Sequence, residues 1–285
     1  MSKSKLNRIK ELQLQASKIR KRTLEIIYLA KSGHTGGSLS CINILTVLYF
    51  HVMKIDPRNP KKEDRDRFVM SKGHSVEALY AVLASAGFID DSLLETYGSF
   101  KSPLAGHPIN KIPGIELNSG ALGHGLSFGV GISLAAKMDK KTFRTFVLMG
   151  DGELAEGSVY EAAMSASHYK LDNLVAIIDR NGLQISGRTE DVMTLEPLKM
   201  RWEAFGWQVF EVNGNSIKDL IKTFDSLDYT NKKPKLIIAY TTKGYGVSFM
   251  EGVVKWHHGV PNEEQFKIAI AEIEEKIKNF KINKL

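Results

Sequence analysis

Two apolar runs, each delivering an oxygen-bearing side chain beside glycine, most constrain what this chain can fold into. Thr145-Phe146-Val147-Leu148-Met149 leads into Gly150-Asp151-Gly152, and Leu174-Val175-Ala176-Ile177-Ile178-Asp179 leads to Asn181-Gly182. Short apolar runs without polar alternation fit parallel strands covered on both faces. Open parallel sheets bind ligands beyond the carboxyl ends of their strands, so Asp151 and Asn181 are expected to share one edge.

That pairing suits a divalent cation carrying a diphosphate. Mg²⁺ takes hard oxygen ligands in near-octahedral geometry, commonly one carboxylate with phosphate oxygens and water. Asp151 offers the carboxylate, Asn181 a side-chain carbonyl and Leu183 a main-chain carbonyl; Ca²⁺ or Mn²⁺ would use the same donors. Gly150 and Gly152 lack Cβ atoms, so backbone and diphosphate can approach closely. A lone Gly-Asp-Gly is an ordinary turn. The preceding strand, the second strand and its Asn-Gly turn give the motif its meaning.

The remaining pattern alternates helix and strand. Leu6, Ile9, Leu12, Ala16, Ile19, Thr23, Ile26 and Ala30 recur at helical spacing, predicting an amphipathic helix over about 4–32 stopped by Gly33. A second helix is expected from about Ser38, with Leu39, Ile42, Leu45 and Leu48 inward, ending at Asp56-Pro57; residues 33–37 would be the loop between the two. Strands are read at 68–70, 207–212 and 235–241, and helices near 76–86, 122–137, 153–169, 217–227 and 262–282. Such alternation implies a parallel α/β sheet flanked by helices. With no linker or repeat, residues 1–285 read as a single domain. The irregular segment 99–117, with three prolines, is of a kind that often serves function.

Composition narrows the class. The chain has 285 residues, 43% of them hydrophobic and 25% charged, the ordinary globular range. Its one cysteine, Cys41, lies in an apolar helical run and reads as a buried thiol. No segment is read as reaching the ~20 apolar residues of a membrane span, and no signal-peptide pattern is present, so a soluble cytoplasmic protein is expected. The net charge of +7 raises the question of nucleic acid. However, the eight Lys/Arg within residues 1–22, like the lysine-rich tail, follow helical spacing and read as solvated helix faces; no nucleic-acid or membrane partner is expected.

Five of eight histidines stand beside glycine in expected loops: His34, His74, His107, His124 and His258. Each alone would be structural or solvent-exposed in most proteins, but together they read as a cluster, and imidazole can exchange protons near neutral pH. Glu153 and Glu156 read as helix-start carboxylates rather than an acid/base pair. Gly120-Ala121-Leu122-Gly123-His124-Gly125 has no apolar strand directly before it, which weakens a dinucleotide-loop reading.

Taken in order, Ser32-Gly33-His34, Asp64 to Val69, Ser71-Lys72-Gly73-His74, Gly106-His107-Pro108, Gly120 to Gly125, Gly150-Asp151-Gly152, Asn181, Ala204-Phe205-Gly206-Trp207 and His258-Gly259 resemble the amino-terminal half of the transketolases, from about Ser32 to Pro261. The resemblance implies the thiamine diphosphate-binding fold, with thiamine diphosphate and Mg²⁺ as cofactors. It implies that His34, His107 and His258 reach the substrate, that His74 lies by the diphosphate, and that the Gly120 carbonyl and Leu122 meet the aminopyrimidine. Asp151, Asn181 and Leu183 would hold the metal, and Glu156 would stand at a contact between subunits. The activity implied is transfer of a two-carbon ketol unit between sugar phosphates, as in the pentose phosphate pathway.

Nothing here corresponds to the second half of a full transketolase, which carries the glutamate that protonates the pyrimidine. A partner subunit with the pyrimidine-binding domain is therefore expected, in a heterotetramer of two pairs. Two positions depart from the family: Thr35 stands where many members have proline, and Lys243 where some have an apolar residue. Another thiamine enzyme, resembling 1-deoxyxylulose-5-phosphate synthase or a 2-oxo acid dehydrogenase, and a non-catalytic diphosphate-binding homologue remain open. A nicotinamide dehydrogenase would need an acidic ribose-binding residue about twenty positions after a strand-borne glycine loop, and none is evident.

Overall fold

A computed structural model describes residues 3–282. Its strands are β1 (Arg67–Met70), β2 (Thr145–Gly150), β3 (Leu174–Arg180), β4 (Leu183–Gln184), β5 (Gly187–Arg188), β6 (Gln208–Asn213) and β7 (Lys235–Tyr240). Five of them form a parallel sheet in the order β1-β2-β3-β7-β6, while β4 and β5 pair as a small antiparallel hairpin. The register sets Gly150 of β2 opposite Asp179 of β3, so the two strands end level.

Side-chain alternation divides the interior in two, because successive residues of a strand face opposite sides. Phe68, Met70, Phe146, Leu148, Val175, Ile177 and Ile237 join one core. Val69, Val147, Met149, Leu174, Ala176, Ile178, Leu236 and Ile238 join the other. On the first face lie α1 (Lys3–Ala30), α2 (Thr35–Val47), α3 (Val76–Ala86), α8 (Ile217–Asp225) and α9 (Glu263–Ile282). The second face carries α4 (Gly125–Met138), α5 (Gly157–His168) and α7 (Leu198–Ala204); the single turn α6 (Thr189–Val192) follows β5. The result is a three-layer α/β arrangement, as the strand-helix alternation implied.

Five sequence expectations are corrected. Residues 35–37 are helix rather than loop, because α2 begins at Thr35. Its glycines allow close approach: a Cβ on Gly36 would lie 2.8 Å from the Trp256 carbonyl oxygen, and one on Gly37 would lie 2.9 Å from Ser75 Oγ. The expected helix 153–169 divides into a 3₁₀ turn, Gly152–Ala155, and α5, while the expected 122–137 helix starts later, at Gly125. Leu6, taken as inward-facing, is 42% exposed. Finally, Thr35–Val52 is by length and composition apolar enough to cross a membrane, contrary to the sequence reading, but 83% of it is buried within the fold. Every residue of α2 is buried, so an apolar helix inside a core accounts for its composition. Cys41 lies there, fully buried, its thiol pushed up to about 12 by burial.

Candidate active site

The ends of β2 and β3 meet through Asp151. Its Oδ2 accepts the Gly182 N–H at 2.6 Å, its Oδ1 accepts the Gly152 N–H at 2.9 Å, and Arg180 Nη1 lies 3.5 Å from Oδ2. The carboxylate is 2% exposed. Burial, reinforced by the nearby Asp179 charge, raises its pKa, an arrangement that a bound cation would relieve. Asn181 Oδ1 accepts the Leu183 N–H at 3.1 Å, which fixes the turn and leaves that oxygen a further lone pair. Gly182 has φ +77°, where a side chain would be strained.

Asp151, Asn181 and Leu183 all line one cleft of about 370 Å³, together with Gly150 and Gly152. The donors on offer are one carboxylate, one amide carbonyl and one main-chain carbonyl, all hard oxygens. That set fits Mg²⁺, with its remaining positions left to phosphate oxygens and water. Among the described residues no cluster of three or more His, Cys, Asp or Glu side chains could hold a metal unaided.

Glu153, which sequence reasoning assigned to helix-start stabilisation, instead ties the cleft together. It is 2% exposed and accepts hydrogen bonds from Ser71 Oγ, from the Gly123 N–H at 2.9 Å and from the Gly150 N–H at 3.1 Å. Ser71 Oγ in turn accepts the Gly125 N–H at 3.1 Å. The segment 120–125 is thereby pinned to the end of β2, and Gly120 and Leu122 are presented to the cleft. Glu156 is exposed and makes no side-chain capping bond, so the capping role read for it is not seen. His124 is also exposed and does not line the cleft.

Four histidines surround the opposite wall. His34, His74, His107 and His257 line the cleft, with ring centroids 5.2 Å apart for His34 and His74 and 5.6 Å apart for His74 and His257. Of the two adjacent histidines, the structure places His257 rather than the expected His258 in the cleft lining. His258 is exposed and stands edge-on to His34 at 4.5 Å, outside the cleft, whereas His257 points in and meets Lys243 Nζ through Nδ1 at 2.9 Å. The following glycine suggested His258. His257 ends the 3₁₀ turn Val254–His257, and its side chain turns into the cleft. Burial lowers the His34 pKa to about 4 and the His257 pKa to about 3, with Lys243 and neighbouring histidines adding to both, and holds His74 well below 6.5. All three are neutral at pH 7, each able to donate from one ring nitrogen and accept at the other.

Two lysines went unrecognised as site residues in the sequence. Lys72, 1% exposed, pairs with Asp179 and donates to the Gly37 carbonyl at 3.0 Å; burial lowers its pKa, but the Asp179 charge and hydrogen bond together with the nearby Cys41 and Asp151 raise it by more, so the ammonium stays protonated. Lys243 is 2% exposed, its pKa lowered to about 8 by burial and by Lys72. Both line the cleft and give it positive potential suited to a diphosphate. The signal for Lys72 was available, since it precedes Gly73-His74. Lys243 could be found only from the tertiary fold. Gln184 and Ile185, on the β4–β5 hairpin, were likewise unforeseen in the lining. The Thr35 departure has a local account: its hydroxyl donates to the Gly259 carbonyl at 2.6 Å, tying the start of α2 to the His257 segment.

Fold and cleft together define an α/β cofactor-binding domain whose site lies at the carboxyl ends of parallel strands. Residues 12–283 match the sequence model of the family described as transketolase, thiamine diphosphate binding domain. The chain belongs to the transketolase family, as its thiamine diphosphate-binding domain. It is 61% identical over 269 residues to an apulose-4-phosphate transketolase subunit of Phocaeicola vulgatus, covering 94% of this chain and 96% of that one. It is 42% identical over 267 residues to the 6-deoxy-6-sulfo-D-fructose transketolase subunit SqwG of Clostridium sp., covering 93% of this chain and 97% of that one. The solved transketolase of Campylobacter jejuni superposes with a TM-score of 0.87 at 34% identity, over 94% of this chain and 45% of that one. The chain thus spans less than half the length of that transketolase and nearly the whole of the two subunits.

Proposed function

We propose that this chain is the diphosphate-binding subunit of a two-chain transketolase, working with a partner subunit that carries the pyrimidine-binding domain. The pair transfers a two-carbon ketol unit from a ketose phosphate to an aldose phosphate, dependent on thiamine diphosphate and Mg²⁺, in a cytoplasmic heterotetramer of two pairs. The observation that carries this reading is one of similarity: at 61% identity the chain matches 96% of a relative that is itself named a transketolase subunit. Apulose-4-phosphate is the donor we favour over xylulose 5-phosphate, because the Phocaeicola relative bears that substrate in its name.

The carbon–carbon chemistry belongs to the cofactor itself. This chain's residues bind, orient and exchange protons. Asp151, Asn181 and the Leu183 carbonyl hold the cation, while Lys72 and Lys243 face the diphosphate with positive charge. His34, His107 and His257 stand where substrate oxygens would enter, and their imidazoles can pass a proton to or from them; burial holds His34 and His257 neutral. The two carboxylates of the cleft are engaged inward, Asp151 on the Gly152 and Gly182 N–H groups and Glu153 on Ser71, Gly123 and Gly150. Neither is available to a pyrimidine ring, which supports a partner that supplies that carboxylate.

The test is reconstitution of the purified chain with its partner, thiamine diphosphate and Mg²⁺, followed by assay of apulose-4-phosphate, xylulose 5-phosphate and 6-deoxy-6-sulfofructose with an aldose phosphate acceptor. Ketol transfer by the pair and none by the chain alone is the expected result. Release of carbon dioxide from a 2-oxo acid, or cofactor binding with no transfer from any ketose, would overturn the proposal.

A further inference from the structure

We infer that the protein has a second, non-catalytic site for a small phosphate-bearing ligand, in the cavity between α1, α2, α8 and α9. This cavity, of about 310 Å³, is lined by Arg20, Asn43, Asn215, Ser216, Tyr245 and Lys276, among others, and shares no residue with the cofactor cleft. Its centre is Arg20, 5% exposed, with no carboxylate in ion-pair contact among the described residues. Nε donates to the Tyr245 carbonyl at 2.9 Å and one Nη2 hydrogen to Asn43 Oδ1 at 3.0 Å, while Nη1 makes no hydrogen bond to the described residues. Buried guanidinium groups are normally matched to a carboxylate or phosphate that takes their paired N–H groups. Burial without such a partner lowers the Arg20 pKa to about 10, and the group remains charged at neutral pH.

The surroundings are built to keep Arg20 in place. Its guanidinium carbon stands 5.1 Å from the Tyr245 ring centroid, and a Cβ on Gly246 would lie 2.5 Å from Arg20 Cδ, so glycine is required there. Lys276 supplies a second cation, its Nζ anchored on the Gly246 carbonyl at 3.0 Å. The amino end of the nine-residue α8 faces the same space through Ser216 and Ile217. Asn215 Oδ1 is buried there without a hydrogen-bond partner, an acceptor placed for a ligand hydroxyl. The nearest acidic influence is Glu251, whose Oε1 is held by the Gly246 N–H at 2.8 Å; against it stand two cations. A phosphorylated polyol answers this set of groups: phosphate oxygens on Arg20 and Lys276, a hydroxyl on Asn215. The loop forming one wall carries Lys243 two residues before Tyr245, so an occupant would abut the segment that enters the cofactor cleft.

Titration of the full chain with inorganic phosphate and with glycerol 3-phosphate, followed by backbone and side-chain amide resonances, tests this directly. Both should saturate shifts at Asn215, Ser216, Tyr245 and Gly246, and glycerol 3-phosphate should also move the Asn215 carboxamide. Phosphate entering the cofactor cleft is read separately, at Gly152 and Gly182. Lys276→Gln and Arg20→Gln should each weaken the first set at least tenfold and leave the second unchanged; if Arg20→Gln fails to fold, Lys276→Gln alone carries the test. Absence of shifts at Asn215–Gly246 at saturating ligand, or shifts that survive Lys276→Gln undiminished, would overturn the assignment.

Discussion

Asp151 Oδ2 accepts the backbone N–H of Gly182 at 2.6 Å, and this single bond fastens the end of β2 to the turn that carries Asn181. One carboxylate thus serves both as candidate metal ligand and as the clasp that sets the distance to the second ligand. Asp151→Asn keeps size and an acceptor for one N–H but removes the charge that a hard cation needs. We expect it to weaken Mg²⁺-dependent thiamine diphosphate binding by the two-chain complex about a hundredfold, or about 2.8 kcal/mol, with unchanged far-UV circular dichroism. Calorimetric titration matching the native protein would remove Asp151 from the metal site.

His257 and His258 are neighbours in sequence but face different spaces, which makes them separable by kinetics. His257→Asn should lower kcat of the reconstituted pair by about 100-fold, the usual scale for loss of a proton-exchanging group, with cofactor affinity changed far less. His258→Asn should stay within about threefold of native, because that ring is exposed and outside the cleft. Comparable losses in both variants would show that the segment 254–259 rearranges when the partner docks.

Much of this was readable in the chain itself, and what was missed has physical reasons. All five strands of the main sheet were anticipated to within about a residue; β1 is only four residues long and β6 carries Gln208, Glu211 and Asn213, whereas in β2, β3 and β7 apolar runs leave little alternative to buried strands. Asp151 and Asn181 converge because both follow such strands, a local property. Lys243 and Glu153 were not assignable in this way. Their roles depend on burial and on partners 14 or more positions away, such as Lys243 with His257 and Glu153 with Ser71, which periodicity does not encode. Helix α2 begins at Thr35 despite two glycines because close packing against Trp256 and Ser75 overrides their poor intrinsic propensity.

Acid should destabilise the isolated chain over a defined window. His34 and His257 are held neutral in the folded state, with pKa values lowered to about 4 and about 3, and His74 is depressed as well. Unfolded, each takes up a proton below about 6.5. The unfolded state therefore binds more protons in this range, and stability rises with pH. Expressed as a loss, stability is full above about pH 6.5 and falls progressively toward pH 4. Urea midpoints at pH 7.5, 6.0 and 5.0 should decline in that order, and His257→Gln should shallow the slope. A midpoint constant from pH 7.5 to 5.0 would mean that these rings protonate in the folded state without penalty.

The helix that opens behind the Gly120–Gly125 segment should tolerate alanine at one glycine and not at another. A Cβ on Gly125 would stand 2.2 Å from Ser71 Oγ and 2.8 Å from Ser71 Cα, backbone that cannot swing aside, whereas one on Gly131 would meet nothing within 4 Å. Gly131 lies inside α4, where alanine gains about 1 kcal/mol of helix propensity, whereas Gly125 is the first residue of α4 and has less of that gain available. At Gly131 that gain should appear as added stability of the isolated chain. At Gly125 overpacking of about 1–3 kcal/mol opposes it, and the Gly125 N–H to Ser71 bond, on which Glu153 also depends, is strained as well. Gly125→Ala should therefore lower the urea midpoint and also weaken cofactor binding, because Gly120 and Leu122 are carried on the segment that would be displaced. If Gly125→Ala proved as stable as Gly131→Ala and bound cofactor normally, α4 would have to be free to shift against β1, and the pinning of the 120–125 segment through Glu153 would not govern the shape of the cleft.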